Sequence, residues 1–239
     1  MSGYPLSNIL FLDIETVSQY PSFNEVPEEW KDLWSRKAES LSKEKQPGGA
    51  ELLYNRAAIY AEFGKIICIS CGVISGSGDE KKLSLKSFFG HDEKEILMEF
   101  SEMLARWATD NNKYLCAHNG KEFDFPWLCR RLIINSLPVP ALLNISGKKP
   151  WEIQHIDTSD LWKFGDYRTY TSLNLLARSL GIPTPKDDID GSMVGEVYWK
   201  QQDLPRIVTY CQKDVITVAQ IYLRLNESRL IKPQNIEAK

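Results

Sequence analysis

Two carboxylates interrupt an apolar stretch near the start of the chain, which reads ILFLDIETVS from Ile9 to Ser18. Its aliphatic and β-branched content is typical of a buried strand. Residues two apart on a strand point to the same face, so Asp13 and Glu15 present their carboxylates side by side. An ionised acid costs several kcal/mol to bury unless a partner or a cation compensates it. The chain must therefore fold so that something meets this pair of acids.

A divalent cation is one such partner. Neighbouring carboxylates repel and raise each other's pKa unless a cation lies between them. Mg²⁺ and Mn²⁺ prefer oxygen ligands, which Asp13 and Glu15 would supply. The alternative is that one acid caps a turn where the strand ends at Thr16. The motif on its own leaves both interpretations open.

The composition limits the class of protein. The chain has 239 residues, of which 43% are hydrophobic and 26% are charged, as in ordinary globular proteins. No apolar run approaches the ~20 residues of a membrane span, no signal peptide is visible, and the five cysteines lie in apolar surroundings. A cytoplasmic protein without membrane contact is therefore expected. The net charge of −3 argues against a broad basic surface for duplex DNA, but it allows a metal-loaded pocket that meets nucleic acid.

Hydrophobic periodicity predicts an α/β fold in which strands alternate with helices. Strands are expected over 9–17, 65–75, 82–90, 114–119 and a short piece within 151–162. Helices are expected over 26–45, 50–63, 93–111, 127–137, 172–180 and 204–227. In the first of these helices, the apolar residues at helical spacing are Trp30, Leu33, Trp34, Ala38 and Leu41. No repeat or linker divides the chain, so we expect one domain over 1–239, with a helical insertion at about 19–62.

Two further stretches place acids beside apolar residues. In CAHNGKEFDFPWL, Asp124 follows Phe123 and precedes a proline, and Asn119 stands in a predicted turn. Helix capping alone would explain this acid. In YCQKD, Tyr210 and Asp214 are spaced i, i+4, so they share one face of a helix. With the first motif, these stretches supply four carboxylates and a phenol, enough oxygen ligands for two metal ions ~3.5–4 Å apart.

The three motifs, in this order, resemble those of the 3′–5′ exonucleases of the ribonuclease H-like fold, a group named for four acids in three motifs. Residues 13–15 (DIE) match the first motif, residues 119–124 (NGKEFD) match N-G-x-x-F-D, and residues 210–214 (YCQKD) match the tyrosine form, Y-x-x-x-D. The likeness is to the exonuclease domain of family-B DNA polymerases, and more narrowly to stand-alone bacterial proteins related to it. It extends over most of residues 9–226 and takes in a loop at 186–194.

This resemblance implies a ribonuclease H-like α/β fold with a central mixed β-sheet of about five strands flanked by helices. It also implies a metal-dependent 3′–5′ exonuclease on single-stranded DNA, and it leaves open whether a polymerase or repair protein is a partner. Two Mg²⁺ or Mn²⁺ ions would be held by Asp13, Glu15, Asp124 and Asp214. Tyr210 would orient the attacking water or a phosphate oxygen. An exoribonuclease that uses the same site and a catalytically silent nucleic-acid-binding module are the alternatives.

The remaining candidates concern the substrate. Contacts to the terminal nucleotide are expected from Ile14, Thr16, Asn119, Phe123 and Ser172. Stacking on bases is considered for Phe123, Phe125 and Trp127, although core packing is favoured for at least two of these rings. Phosphate contacts are considered for Lys121, Arg130 and Arg131, with a solvated helix face as the alternative.

Overall fold

The computed structural model describes residues 4–43, 49–166, 168, 170–183 and 189–238. The strands are β1 Ile9–Ser18, β2 Gly64–Ser75, β3 Lys82–Phe89, β4 Tyr114–Ala117, β5 Ile156–Asp157 and β6 Ile236–Ala238. They form one mixed sheet of six strands in the order β5-β4-β1-β2-β3-β6. The β1–β2 and β2–β3 pairs are antiparallel, whereas β1–β4, β4–β5 and β3–β6 are parallel.

Helices flank this sheet on both faces. They are α1 Glu28–Lys43, α2 Glu93–Trp107, α3 Asp124–Ile134, α4 Thr158–Lys163, α5 Leu173–Ser179, α6 Val194–Glu196 and α7 Leu204–Leu225. A π-helical turn over Val197–Gln201 continues α6. No helix in the described ranges combines the length and the apolar character that a membrane span requires.

The alternation of side chains along β1 determines which helices each residue meets. The even-numbered residues of 10–14 point into a core shared with α2 and α3. Ile9 and Phe11 point to the opposite face, into a core shared with α7. Asp13 and Glu15 continue this second series, so both acids lie on the face that α7 covers.

The predicted helix over 50–63 is wrong, because the segment contains only a 3₁₀ turn over Tyr54–Ile59. Side chains of other elements bind its carbonyl groups. The hydrogen bonds run from Thr16 to Ala58 O (2.7 Å), from Trp127 to Ile59 O (3.0 Å) and from Arg131 to Ala61 O (2.8 Å). These tertiary contacts replace the i→i+4 bonds of an α-helix and override the local periodicity.

Other differences are smaller. The helix in the insertion is confirmed, but Trp30 and Leu33 on its predicted apolar face remain 39% and 48% exposed. α3 begins at Asp124, three residues earlier than predicted. The strand β6 and the helix α4 were not predicted at all. Part of the predicted loop at 186–194, residues 186–188, lies outside the described residues.

Candidate active site

The first strand carries its two acids beside a distortion of the sheet. β1 and β2 pair without interruption as far as Glu15, but Thr16 opposes Ile66, which leaves one extra residue in β2. A bulge of this kind bends the strand and redirects neighbouring side chains. Glu15 is buried beside it, and Asp13 is partly exposed.

The third acid, Asp124, is the first residue of α3 and is buried. The turn that leads to it from β4 has no space for a side chain at Gly120, where a Cβ would collide with the Ala117 Cβ and lie 3.1 Å from the Phe125 ring. Asn119 has a left-handed φ of 61°, which asparagine adopts more readily than most residues. The backbone that delivers Asp124 therefore requires Gly120 and favours asparagine at position 119.

A buried acid that the sequence analysis missed holds this turn in place. Asp157, the last residue of β5, accepts hydrogen bonds from the N–H groups of Asn119 (2.9 Å) and Lys121 (3.1 Å). It also caps α4 by accepting from the Ser159 N–H (2.9 Å). The available signal was an acid at the end of a short strand and just before a helix.

The helix α7 supplies the fourth acid and the phenol. Tyr210 and Asp214 lie one turn apart and line the same cleft as Asp13, as their spacing predicts. The Tyr210 hydroxyl donates a hydrogen bond to Asp214. Between them, the Sγ of Cys211 lies 3.4 Å from Oδ2 of Asp13, although 198 positions separate these two residues in the chain. Packing of α7 on β1 thus brings the first and third motifs together.

The cleft has a volume of about 860 Å³, and its lining includes Asp13, Glu15, Tyr210 and Asp214. Three of the predicted substrate contacts also line it, namely Ile14, Phe123 and Ser172. Thr16 and Asn119 are not among the lining residues. The lining further includes Arg178 of α5, which the sequence analysis missed because its i, i+4 spacing from Asn174 resembles an ordinary exposed helix face.

The acids raise one another's pKa in the absence of a cation. At Asp13 and Glu15 burial is the largest cause, the charge of Asp214 is the second, and the charge of Asp124 adds to both. Burial also raises the pKa of Asp124 from 3.8 to about 7, although N–H groups of Asp124 itself and of Ile14 oppose the rise. Each acid therefore penalises the ionisation of its neighbours, a conflict that a divalent cation would remove.

The donor set fits Mg²⁺ or Mn²⁺. A carboxylate oxygen of Asp13, one of Glu15 and the Sγ of Cys211 all lie within 4.8 Å of one another. Hard cations select carboxylate oxygens over sulfur. Burial raises the pKa of Cys211 well above its usual value, so this thiol stays protonated and donates to Asp13. The ligands available to a metal are therefore the carboxylate oxygens of Asp13 and Glu15. Those of Asp124 and Asp214, whose charges raise the pKa of both acids, are also available.

One rim of the cleft is held by His118. Its Nε2 donates to the Thr171 carbonyl (2.8 Å), and its Nδ1 lies 2.9 Å from the Thr158 hydroxyl. Burial lowers the pKa of His118, so the imidazole is neutral at pH 7. Next to this contact, Ser172 begins α5 and accepts the N–H of Leu175 (3.4 Å), as predicted for a helix cap. His118 therefore fixes the backbone that carries Ser172.

Several substrate candidates belong to the core instead. Phe125 and Trp127 are 0% and 1% exposed, so neither can stack on a base, whereas Phe123 lines the cleft. Arg131 is also buried and forms an ion pair with Glu93 (2.5 Å). For Arg131, both interpretations, a phosphate contact and a solvated helix face, are therefore wrong, because its guanidinium is buried and paired in the interior.

The raised pKa of Asp124 predicts a pH effect on the metal-free protein. An acid whose pKa is higher in the folded state binds more protons there, so its ionisation costs stability as the pH rises from about 4 to about 7. Because a tenfold change in an ionisation constant corresponds to about 1.4 kcal/mol, this group costs at most about 4 kcal/mol. In EDTA, the melting temperature of Asp124→Asn, relative to that of the wild type, should therefore rise between pH 5 and pH 8.

The informative quantity is the difference in melting temperature between the two proteins, because the effect of the buried histidines is the same in both and cancels. The pKa of His155, for example, is lowered to about 4, so its protonation destabilises the fold on the acid side. Thermal melts at four pH values, with and without saturating Mg²⁺, measure the effect. A gap that stays constant or shrinks towards pH 8 in EDTA would show that Asp124 is not ionised against its surroundings.

Comparison with known proteins gives the family. Residues 59–232 match a family model described as a predicted 3′-5′ exonuclease related to the exonuclease domain of PolB. This range contains Asp124, Tyr210 and Asp214, and it begins after the acids of β1. No curated protein sequence matches the chain.

Solved structures that are similar to the chain include the following three. The family B DNA polymerase of the hyperthermophilic archaeon Pyrobaculum calidifontis has a TM-score of 0.55 and 15% identity, over 93% of this chain and 24% of that chain. A chain in the structure of the yeast NOT1 MIF4G domain co-crystallized with CAF1 has a TM-score of 0.40 and 14% identity, over 97% of this chain and 84% of that chain. The RNase domain of the yeast Pop2 protein has a TM-score of 0.39 and 14% identity, over 97% of this chain and 82% of that chain.

The chain thus spans about a quarter of the length of the archaeal polymerase, and the likeness there shows a shared fold. That fold is the ribonuclease H-like α/β fold, with six strands rather than about five. The family match covers well over half of the 239 residues. The chain therefore belongs to the family of predicted 3′–5′ exonucleases related to the exonuclease domain of PolB.

Proposed function

We propose that this protein is a divalent-metal-dependent 3′–5′ exonuclease that removes nucleotides from single-stranded DNA, within one domain over residues 1–239. The observation that carries the proposal is the convergence of four acids from β1, α3 and α7, three of which line one cleft. Membership of the family supports the class of reaction. The choice of DNA rests on the family's stated relation to the exonuclease domain of PolB.

Asp13, Glu15, Asp124 and Asp214 are proposed to hold two Mg²⁺ or Mn²⁺ ions. When bound, such ions supply a nucleophile at neutral pH and stabilise the charge on the departing 3′-oxygen. The chain's own part is to hold the carboxylates together against their repulsion. The packing of α7 on β1 and the hydrogen bond from Cys211 to Asp13 do this.

Tyr210 is proposed to orient the attacking water or a phosphate oxygen. Burial raises the pKa of Tyr210, and the charges of Asp214, Glu15 and Asp13 raise it further. The phenol therefore remains protonated at neutral pH and acts as a hydrogen-bond donor, not as a general base. Its position one turn before Asp214 places this donor at the acid cluster.

The terminal nucleotide is proposed to lie against Phe123, Ile14 and Ser172, which line the cleft. The ring of Phe123 would stack on the base without selecting its sequence. Asn119 lies in the turn before Phe123, where its side chain would contact the sugar. The hydroxyl of Thr16 donates to Ala58 O (2.7 Å), so a contact from Thr16 would use its backbone.

Arg178 is expected to contact a substrate phosphate, because it is the only arginine or lysine among the described residues that line the cleft. Its Nε donates to Asn174 (2.7 Å), which leaves its remaining N–H groups for a charge-assisted hydrogen bond. Arg178→Gln should raise KM about tenfold and leave kcat nearly unchanged. Arg106→Gln, on the exposed surface of α2, is the control. A fall in kcat with unchanged KM would assign Arg178 a different role.

The activity test uses a panel of nucleic-acid substrates that carry a label at the 5′ end, so that shortening from the 3′ end can be followed. With Mg²⁺ or Mn²⁺, single-stranded DNA should shorten stepwise from its 3′ end, faster than RNA or the paired strand of a mismatched duplex. Faster shortening of RNA would support the exoribonuclease alternative, in which the site accommodates the 2′-OH. Ca²⁺ should permit binding without cleavage. Binding that is indifferent to every metal, with no shortening, would support the silent binding module.

A further inference from the structure

We infer that the connection between β1 and β2 carries an accessory binding track for single-stranded nucleic acid, outside the cleft. The inference rests on the proposed function. If the 3′ end of a nucleic acid lies in the cleft, the nucleotides on the 5′ side of that end leave the cleft and would bind this surface. We call this surface the upstream track and define it by Gln19, Trp30, Lys37, Phe63 and Lys65. It gives the insertion at about 19–62 a role that the acid cluster does not require.

The middle of the upstream track is an aromatic cavity of about 310 Å³. Its rings are those of Tyr20, Trp30, Tyr54 and Phe63. Trp30 meets Phe63 edge to face, with ring centroids 6.0 Å apart, and still leaves 39% of its surface exposed. A partly exposed indole at the mouth of an aromatic cavity offers a stacking surface for an unpaired base.

Two cavities with cationic side chains adjoin this aromatic one. The first, of about 470 Å³, contains Lys65 and Lys94 and shares Gln19 with it. The second, of about 640 Å³, contains Arg36 and Lys37 and shares Trp30, Glu62 and Phe63 with it. Rings in the middle and cations at both ends form the pattern of a groove that stacks bases and pairs phosphates.

Two of these cations, Lys65 and Lys37, lie over aromatic rings. The Nζ of Lys65 lies 4.9 Å from the ring centre of Trp199, and that of Lys37 lies 4.3 Å from the ring centre of Tyr60. A cation–π contact keeps the ammonium group at the surface and leaves its N–H groups for phosphate. The nearby carboxylates are Asp92, which caps α2, Glu93, which pairs with Arg131, and Glu62, which is exposed.

Two segments of the chain lead from the lining of the cleft to the upstream track. Met193 lines the cleft, and the chain that follows it leads through α6 to Trp199, whose Nε1 donates to Ser18 O (3.3 Å). Lys65 lies over this indole at the start of the upstream track. Along β1, Gln19 is four residues beyond Glu15, or about 13 Å, so a strand of a few nucleotides spans the gap.

The test compares long and short oligonucleotides with the full-length protein in Ca²⁺, using fluorescence anisotropy to measure binding. Trp30→Ala should weaken the binding of a single strand of about 12 nucleotides at least about fivefold, because it removes one stacking contact. Lys65→Gln should weaken it and reduce the salt slope by about 0.7. Neither variant should change the affinity for a trinucleotide, because a ligand of this length would occupy only the cleft.

The matched control is Trp151→Ala. Trp151 is 76% exposed and also has a lysine over its ring, Lys149 at 5.4 Å, but it lines neither the cleft nor the upstream track. The inference fails if Trp30→Ala and Lys65→Gln bind the long strand as the wild type does, as expected of a surface that serves a protein partner. It also fails if they weaken the trinucleotide equally, or if Trp151→Ala has the same effect.

Melting temperatures exclude unfolding as the cause, and Lys65→Gln supplies a second reading if Trp30→Ala folds poorly. The outcome is separable from that of the proposed function. If the variants lose affinity only for the long strand and the wild type cleaves nothing, the inference of the upstream track stands and the proposed exonuclease function is overturned. Cleavage with no length dependence would keep the exonuclease and overturn the upstream track.

Discussion

Asp13→Asn is expected to lower the rate of nucleotide release about 10⁴-fold without unfolding the protein. The several kcal/mol that bound cations contribute to the transition state are lost when one of their ligands is removed. The variant keeps an oxygen that can accept from Cys211, so the packing of α7 on β1 should survive. In EDTA at pH 8, its melting temperature should equal or exceed that of the wild type, because one repulsive charge is gone.

End-labelled single-stranded DNA and thermal melts measure both quantities, and Asp124→Ala should lose turnover to a similar extent. The control is Asp110→Asn, an exposed acid in the loop after α2, which should retain full activity. Severe destabilisation of metal-free Asp13→Asn would instead indicate that Asp13 is a structural acid.

Tyr210→Phe should retain the fold and lose about 10²–10³ in kcat, the effect typical of losing one positioned hydrogen bond. The substitution deletes a single oxygen, which donates to Asp214. The loss should be smaller than that of the Asp variants, because the metal ligands remain. Since the pKa of Tyr210 is raised, its ionisation should not shape the pH profile of the wild type between pH 6 and pH 9.

His118→Ala is the matched comparison for Tyr210→Phe. His118 binds the Thr171 carbonyl at the rim of the cleft, so its removal should loosen Ser172 and raise KM more than it lowers kcat. Profiles of kcat against pH for the three proteins should show no limb from a catalytic histidine near ~6.5. Full activity of Tyr210→Phe together with a dead His118→Ala would reverse the assignment of the water-orienting residue.

The elements that carry the acids could be predicted from the sequence because their signals are local. A strand pattern places Asp13 beside Glu15, and the i, i+4 spacing places Tyr210 beside Asp214. The meeting of these pairs is not local, and only the motif order of a known family indicated it. The acid roles themselves stay predictions until the variants are measured.

The parts that escaped prediction depend on contacts between distant segments. The segment 50–63 has a helical pattern, but Thr16 and other side chains bind its carbonyls and hold it in a 3₁₀ turn. Asp157 has no motif of its own, and its importance comes from the turn at Asn119 that it binds. Arg178 resembles any exposed helical arginine until the fold places it in the cleft.

Crystals soaked in Mn²⁺ test the metal site most directly, through anomalous difference density. Two peaks are expected, each about 2 Å from carboxylate oxygens of the set Asp13, Glu15, Asp124 and Asp214. Asp13→Asn crystals should lose at least one of them. No peak at saturating Mn²⁺, or a single peak bound by the Cys211 sulfur, would contradict a two-metal centre built from these four acids.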